Sequence, residues 1–296
     1  MKMIRFIGVL CLVGCSSSMV ARDKEPPQPR SCVIFDGETG DVLSWSTLLE
    51  RVARADAVML GERHDDQMGH LVQHAILEDV PTPPGLALEM LERDEQALLD
   101  DFRDGLIDRT TFQELTKSTN WAGSDTWENY YQPAIDIVLK RGGKVVAANA
   151  PRRYVRHARI KGEGSLPHDQ PRSLWFDLPS RLDDSLYRKR FFDLMGEGTD
   201  PTIGDQFFLA QRIWDASMGK SLANLRASGA QPAVLLVGGF HVVEQGGTVL
   251  EYLHHRPSDE LLVVSLVPEQ KSFLPQDFLG KADVFILTGL HDEADP

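Results

Sequence analysis

Cysteine is scarce in this chain of 296 residues, which has three, at positions 11, 15 and 32. Three thiols cannot build the disulfide framework of a small secreted scaffold. Positive charge is also short: 31 Lys and Arg stand against 44 Asp and Glu, a net charge of −13. That balance argues against nucleic acid, whose phosphates need a basic surface. It argues equally against a protein held to anionic lipid by its own charge. No segment reaches the roughly eighteen uninterrupted apolar residues of a membrane span. The apolar fraction of 42% with 8% aromatics excludes wholesale disorder. At about 150 residues per domain, the length allows one large or two medium domains.

The N-terminus reads as a targeting signal. Met1-Lys2-Met3-Ile4-Arg5 is a short basic stretch, and residues 6–13 are an apolar run of eight. Such a run is too short to span a bilayer and right for a signal-peptide core. It ends in Leu12-Val13-Gly14-Cys15, which looks like a bacterial lipobox. Residues 1–14 are thus expected to be a lipoprotein signal, with Cys15 the lipidated residue. Residues 15–30 are polar and Pro-rich and read as a flexible tether. Acyl chains anchor a protein to the bilayer without crossing it. Ser16 after Cys15 points to the outer membrane of a Gram-negative envelope. Cys11 leaves with the signal and Cys15 is consumed by lipid, so Cys32 has no partner for an intramolecular disulfide. The signal takes Lys2 and Arg5 with it, moving the net charge by two, from −13 to −15.

Residues 31–296 read as one domain. Apolar runs of strand length recur at 56–60, 85–90, 144–148, 233–237, 261–266 and 283–287. They are continuous rather than alternating, which suits strands buried on both faces. Amphipathic stretches at 46–54, 67–79, 128–140 and 205–227 lie between them. The alternation predicts an α/β fold: a central, mostly parallel sheet flanked by helices. Residues 94–127 and 183–228 are long and helical, and are expected to pack as insertions over one edge of the sheet, as a cap or a dimer surface.

Two strand endings match. Leu60 is followed by Gly61-Glu62-Arg63-His64, and Val237 by Gly238-Gly239-Phe240-His241. In open α/β sheets, ligands gather beyond the carboxyl ends of the strands, and glycine lets the backbone turn sharply there. The two histidines face one pocket if their strands are neighbours; otherwise each is an ordinary strand-to-helix turn. Glu89, placed at the end of the second run, is costly to bury without a partner; an Arg on a helix is the plain alternative. Asn149-Ala150-Pro151-Arg152 closes the third run. His64, Glu62, Glu89 and His241 form a plausible set for a divalent metal or for acid–base chemistry, with Arg152 able to hold a carboxylate or an anion.

His70 and His74 lie four apart, on one helix face. Metal-binding helices use that spacing, but Leu71 stands where a general base would, so a polar helix face is expected. His254 and His255 are expected in a surface loop before Pro257. A basic island interrupts the acidic chain: Arg152, Arg153, Arg156, His157, Arg159 and Lys161, with Tyr154 among them. It is either the seat of an anionic ligand or a solvated face balancing acidic neighbours. Tyrosine is a known haem-iron ligand.

Taken together, these residues resemble the haem-binding ChaN-like lipoproteins of bacterial iron uptake. That family sits within a wider superfamily that includes Tiki and TraB proteins and erythromycin esterase. The resemblance is carried by the lipobox at Cys15, Gly61-Glu62-Arg63-His64, Leu88-Glu89-Met90 and Ala148-Asn149-Ala150-Pro151-Arg152. Gln211, Trp214-Asp215 and Met218 follow, then Gly238-Gly239-Phe240-His241. It implies a surface lipoprotein that binds haem, with two haems stacked between two subunits, and a haem receptor or transporter as partner. It also implies a tyrosine on the iron. Of Tyr130, Tyr131, Tyr154 and Tyr187, Tyr154 is favoured because the island surrounds it. Arg152, Arg153 and Arg156 would then hold propionates beside His64 and His241. Trp121, Trp127, Tyr130, Tyr131 and Phe207-Phe208 are available to line an apolar cleft. In the metallohydrolase branches the catalytic roles fall on His64, Glu89 and His241, which makes a metal-dependent hydrolase the alternative. A third reading is a non-catalytic interaction module built on the helical insertions.

Overall fold

The computed structural model describes residues 28–116, 126–268 and 275–289. The expected signal, Cys15, nearly all of the tether, and Trp121 lie outside them. A short 3-10 turn at Pro29–Ser31 leads into β1 (Val33–Asp36), β2 (Val42–Leu43), α1 (Trp45–Arg54), β3 (Ala57–Glu62) and α2 (Gln67–Asp79). Then come β4 (Gly85–Glu92), α3 (Gln96–Arg103), α4 (Arg109–Thr116), α5 (Gln132–Lys140), β5 (Val145–Asn149) and α6 (Arg152–Lys161). The chain ends through α7 (Ser185–Met195), α8 (Pro201–Ala227), β6 (Ala233–Gly238), α9 (Gly247–His255), β7 (Leu261–Val267) and β8 (Val284–Leu287).

The strands form one sheet in the order β2-β1-β8-β7-β3-β6-β4-β5. β3 to β8 run parallel, and they are the six expected apolar runs. β1 and β2 add antiparallel pairs at the β8 edge; they are too short to show in a pattern of apolar runs. Both faces are covered, which is why the runs are continuous. Val58, Leu60, Leu86, Leu88, Val234 and Leu236 pack with α1, α2 and α5 on one face. Ala57, Met59, Ala87, Ala233, Leu235 and Val237 pack with α8 and α9 on the other. α3 touches β5, and α8 lies across β5, β4 and β6, so the two long helical regions gather toward the β5 edge.

Local chemistry sets the helix boundaries. The Ser44 hydroxyl accepts from the Thr47 N–H at 3.1 Å and starts α1. Asp200 accepts from Thr202 and Ile203, and Pro201 takes the first helical position; α8 therefore begins four residues before the expected 205. The helix expected from 128 opens instead as a π-turn at Trp127–Tyr131. His254 and His255 are the last residues of α9 rather than part of a loop. No helix among the described residues is long and apolar enough to cross a membrane.

Candidate functional site

The strand order decides the site. β3 and β6 are neighbours, with Glu62 level with Gly238, so the two Gly-x-x-His endings lie side by side. β4 pairs with the other edge of β6. Its register against β5 shifts between Leu88 and Glu92, an irregularity of the kind that re-aims side chains beside sites. Glu89 lies at this shift, inside a strand that runs on to Glu92, and not at its end. Asn149 donates to the Glu89 carbonyl at 3.0 Å and pins the irregular backbone. The Glu89 carboxylate accepts from the Gly238 N–H at 2.6 Å and sits 3.6 Å from His241 Nε2. No Arg on a helix pairs with it among the described residues.

Each histidine is backed by a buried carboxylate. His64 Nδ1 is 2.9 Å from Glu62 Oε1. Glu62 also accepts from the Tyr131 hydroxyl at 2.9 Å and from Gln73 at 2.6 Å. Burial pushes the Glu62 carboxyl up, but the His64 hydrogen bond and the nearby imidazoles outweigh it and hold it below the usual range. Burial would lower His64, and the bond to Glu62 with the charge of Glu89 raises it instead. On the other side, His241 Nδ1 is 2.7 Å from Asp215 Oδ1. Asp215 is fully buried and accepts from Thr248 at 2.8 Å and Tyr187 at 2.9 Å. Burial opposes charge on His241, yet Asp215 and Glu89 push it up to about 9. Gln211 Nε2 lies 3.1 Å from His241 Nδ1 and donates to Tyr187 at 2.9 Å. The centre therefore holds two carboxylate–imidazole pairs facing a third carboxylate. A Cβ at Gly238 would lie 3.2 Å from His64 Nε2 and 3.6 Å from Glu89 Oε2, so the glycine keeps space open between them.

Several expected residues take other places. Arg152 pairs with Glu92 at 3.3 Å, and Arg153 with Asp94 at 2.5 Å. Tyr154 packs on Trp175 and Phe176, with Arg153 4.7 Å above its ring. His70 and His74 do not form a polar face; both are buried. His70 faces Gln73 and the His64 carbonyl and stacks on Tyr130 at 4.1 Å. His74 bonds the Tyr130 carbonyl. Trp127 and Tyr131 fill the core rather than a cleft, and of Phe207-Phe208 only Phe207 is exposed. Among the described residues, no group of three or more His, Cys, Asp or Glu is arranged to hold a metal ion. Gln73, Tyr131 and Thr248 carry no motif. Asp215 carries a faint signal, a lone acid beside Ile213, Trp214 and Ala216.

The model of the family described as haem-binding uptake, Tiki superfamily, ChaN matches residues 48–252. The chain belongs to this family. The ChaN fold is shared with a solved structure of cofacial haem binding to ChaN of Campylobacter jejuni. That protein is 20% identical, with a TM-score of 0.63, over 86% of this chain and 96% of that one. The type III effector HopBA1 aligns at 13% identity and a TM-score of 0.45, over 82% of this chain and 92% of that one. An erythromycin esterase, EreC, in its open conformation aligns at 14% and 0.43, over 86% and 82%. No curated protein matches the chain.

Proposed function

We propose that this ChaN-family protein is an envelope lipoprotein that binds haem for iron uptake. Cys15 carries its lipid, haem lies between two copies of the chain, and a receptor or transporter takes the haem onward. Family membership over residues 48–252 carries the reading, and the cofacial haem of the Campylobacter jejuni protein supports the dimer. The residues fit the ligand. The His64 imidazole is 38% exposed, and the bond from Nδ1 to Glu62 orients the ring, as carboxylate partners do for ligating histidines. The open space at Gly238 lies before its Nε2. This geometry favours His64 as the iron ligand over Tyr154, which is packed between Arg153, Trp175 and Phe176.

Hemin titration tests it. A saturable Soret shift is expected in the wild type, lost or altered in His64→Ala and kept in Tyr154→Phe. The reverse pattern assigns the iron to Tyr154. Unchanged spectra in both variants and in Arg152→Ala remove these assignments, and no Soret change in the wild type removes the haem reading.

One observation favours a second reading. Two carboxylate–imidazole pairs, the His241 pair buried and the His64 ring partly exposed, face Glu89 and form an acid–base centre of the kind a hydrolase uses. Glu89 is the carboxylate left to act as base, because Glu62 is already engaged by His64, Tyr131 and Gln73. In the metal-dependent form His64, His241 and Glu89 would be the ligands, although no such group is arranged for an ion among the described residues. Metal analysis of protein purified without chelator decides it: stoichiometric metal lost in His64→Ala supports this reading, and its absence removes it.

A further inference from the structure

The arginines of α6 fall into two kinds. Arg152 and Arg153 are paired with Glu92 and Asp94. No carboxylate among the described residues pairs with Arg156 or Arg159, although acids outnumber bases in the chain as a whole. The helix also has two flanks. Arg153 and Tyr154 face Trp175 and Phe176. Arg159 faces α8, its guanidinium 4.3 Å from the Phe207 ring. At helical spacing, Arg152, Arg156 and Arg159 share that second side, and Ile160 lies between Arg156 and the line of Arg153.

α8 exposes an apolar stripe there. Ile203 is 49% exposed, Phe207 40% and Ile160 50%. Ile203, Phe207 and Gln211 are four residues apart, on one face of the helix, and Gln211 touches His241. The stripe therefore runs from the rim of the molecule to the histidine centre. An apolar strip rimmed by unpaired cations is complementary to a flat apolar ligand that carries carboxylates. A bare second copy of the chain fits it poorly, because a two-fold contact would set these arginines against each other with no anion between them.

We propose that Ile203 and Phe207 of α8, with Arg156, Arg159 and Ile160 of α6, form the platform on which haem lies, the macrocycle on the apolar stripe and the propionates on Arg156 and Arg159. The proposal rests on the haem reading and adds to it where the ligand sits. It also separates the two halves of the basic island, since Tyr154 and Arg153 belong to the other flank.

The test is hemin binding by Soret titration and tryptophan quenching, repeated with hemin dimethyl ester, whose propionates carry no charge. Ile203→Ala/Phe207→Ala is expected to weaken hemin binding about tenfold or more through lost apolar contact. Arg156→Ala/Arg159→Ala is expected to weaken hemin to a similar degree, about tenfold, and to leave the ester unaffected. Arg156, Ile203 and Phe207 are exposed and Arg159 is half-buried over Phe207, and far-UV circular dichroism checks that the variants fold. Wild-type protein that takes up no hemin overturns the haem reading and the platform with it. Wild type that binds while both variants match it overturns the platform alone, as does an arginine variant that weakens hemin and its ester equally. Variants that alter only oligomeric state without hemin, with hemin affinity unchanged, assign the face to a second copy of the chain and also overturn it.

Discussion

At the scale of single residues, the chemistry lies in how a carboxylate behind each ring sets its proton. His241 titrates near 9 because Asp215 and Glu89 outweigh the cost of burying its charge. Asp215→Asn removes the closer charge, so His241 is expected to titrate at least about two units lower, followed by NMR of its ring protons. The stability consequence has a definite sign. A histidine whose folded pKa lies above its unfolded value contributes fully below about 6.5, and that contribution disappears as pH rises through about 9. Wild-type protein should lose on the order of 3 kcal/mol between pH 6 and pH 10 from this group, and Asp215→Asn should lose much less in urea melts at the two values. His64 is raised in the same direction, and it must shed its proton before it can ligate iron. Hemin affinity through His64 should therefore weaken as pH falls through its raised pKa, and His64→Ala should abolish that dependence.

At the scale of elements, two devices hold the strand ends in place. Gly61 lies where β3 meets the turn after β6. A Cβ there would come within 2.7 Å of a Val242 methyl and 3.2 Å of the Gly239 Cα. Gly61→Ala is expected to cost about 1–3 kcal/mol, measured by chemical denaturation. The second is the turn after β4, where Glu95 accepts from the Glu92 N–H at 2.7 Å. Burial pushes the Glu95 carboxyl up to about 7. A carboxyl raised in the fold favours the native state below its unfolded pKa and weakens it as pH rises toward 7. Glu95→Gln keeps an acceptor and removes the charge. It should match the wild type at pH 4 and exceed it by about 1–2 kcal/mol at pH 8, allowing for partial exposure.

At the scale of the molecule, the questions are where the protein sits and what it assembles with. Cys15→Ala is expected to move it from the membrane fraction to the soluble fraction, checked by fractionation and by labelling with a palmitate analogue; unchanged distribution removes the lipid anchor. Gel filtration with light scattering should show a dimer that forms or tightens with hemin. Much of this scale was legible in the chain. Six continuous apolar runs named the six parallel strands, because residues buried on both faces leave no alternation. The short β1 and β2 left no such trace. At the site, the glycine and histidine spacing marked both strand ends, and the lone acid in the 85–90 run marked Glu89. His70 and His74 were misjudged as a polar face, since nothing local in 67–79 shows that Gln73 and the carbonyls of His64 and Tyr130 satisfy them in the interior.

What the sequence determined alone is what near neighbours along the chain decide: strand and helix periods, and the glycine turns before each histidine. What the tertiary structure decided is partnership. β3 and β6 lie about 170 residues apart in the chain, yet they are adjacent in the sheet, and that adjacency, with β4 on the other edge of β6, brings His64, Glu89 and His241 together. Asp215 meets His241 across two elements, and Tyr131 meets Glu62 from the turn that opens α5. The basic island looks uniform as a string of residues. Once α6 docks on α8, Arg152 and Arg153 at its start pair with Glu92 and Asp94, whereas Arg156 and Arg159 meet no carboxylate among the described residues, Arg159 lying over Phe207. A charge count cannot separate them, because which cations are neutralised depends on which acids the fold sets within reach.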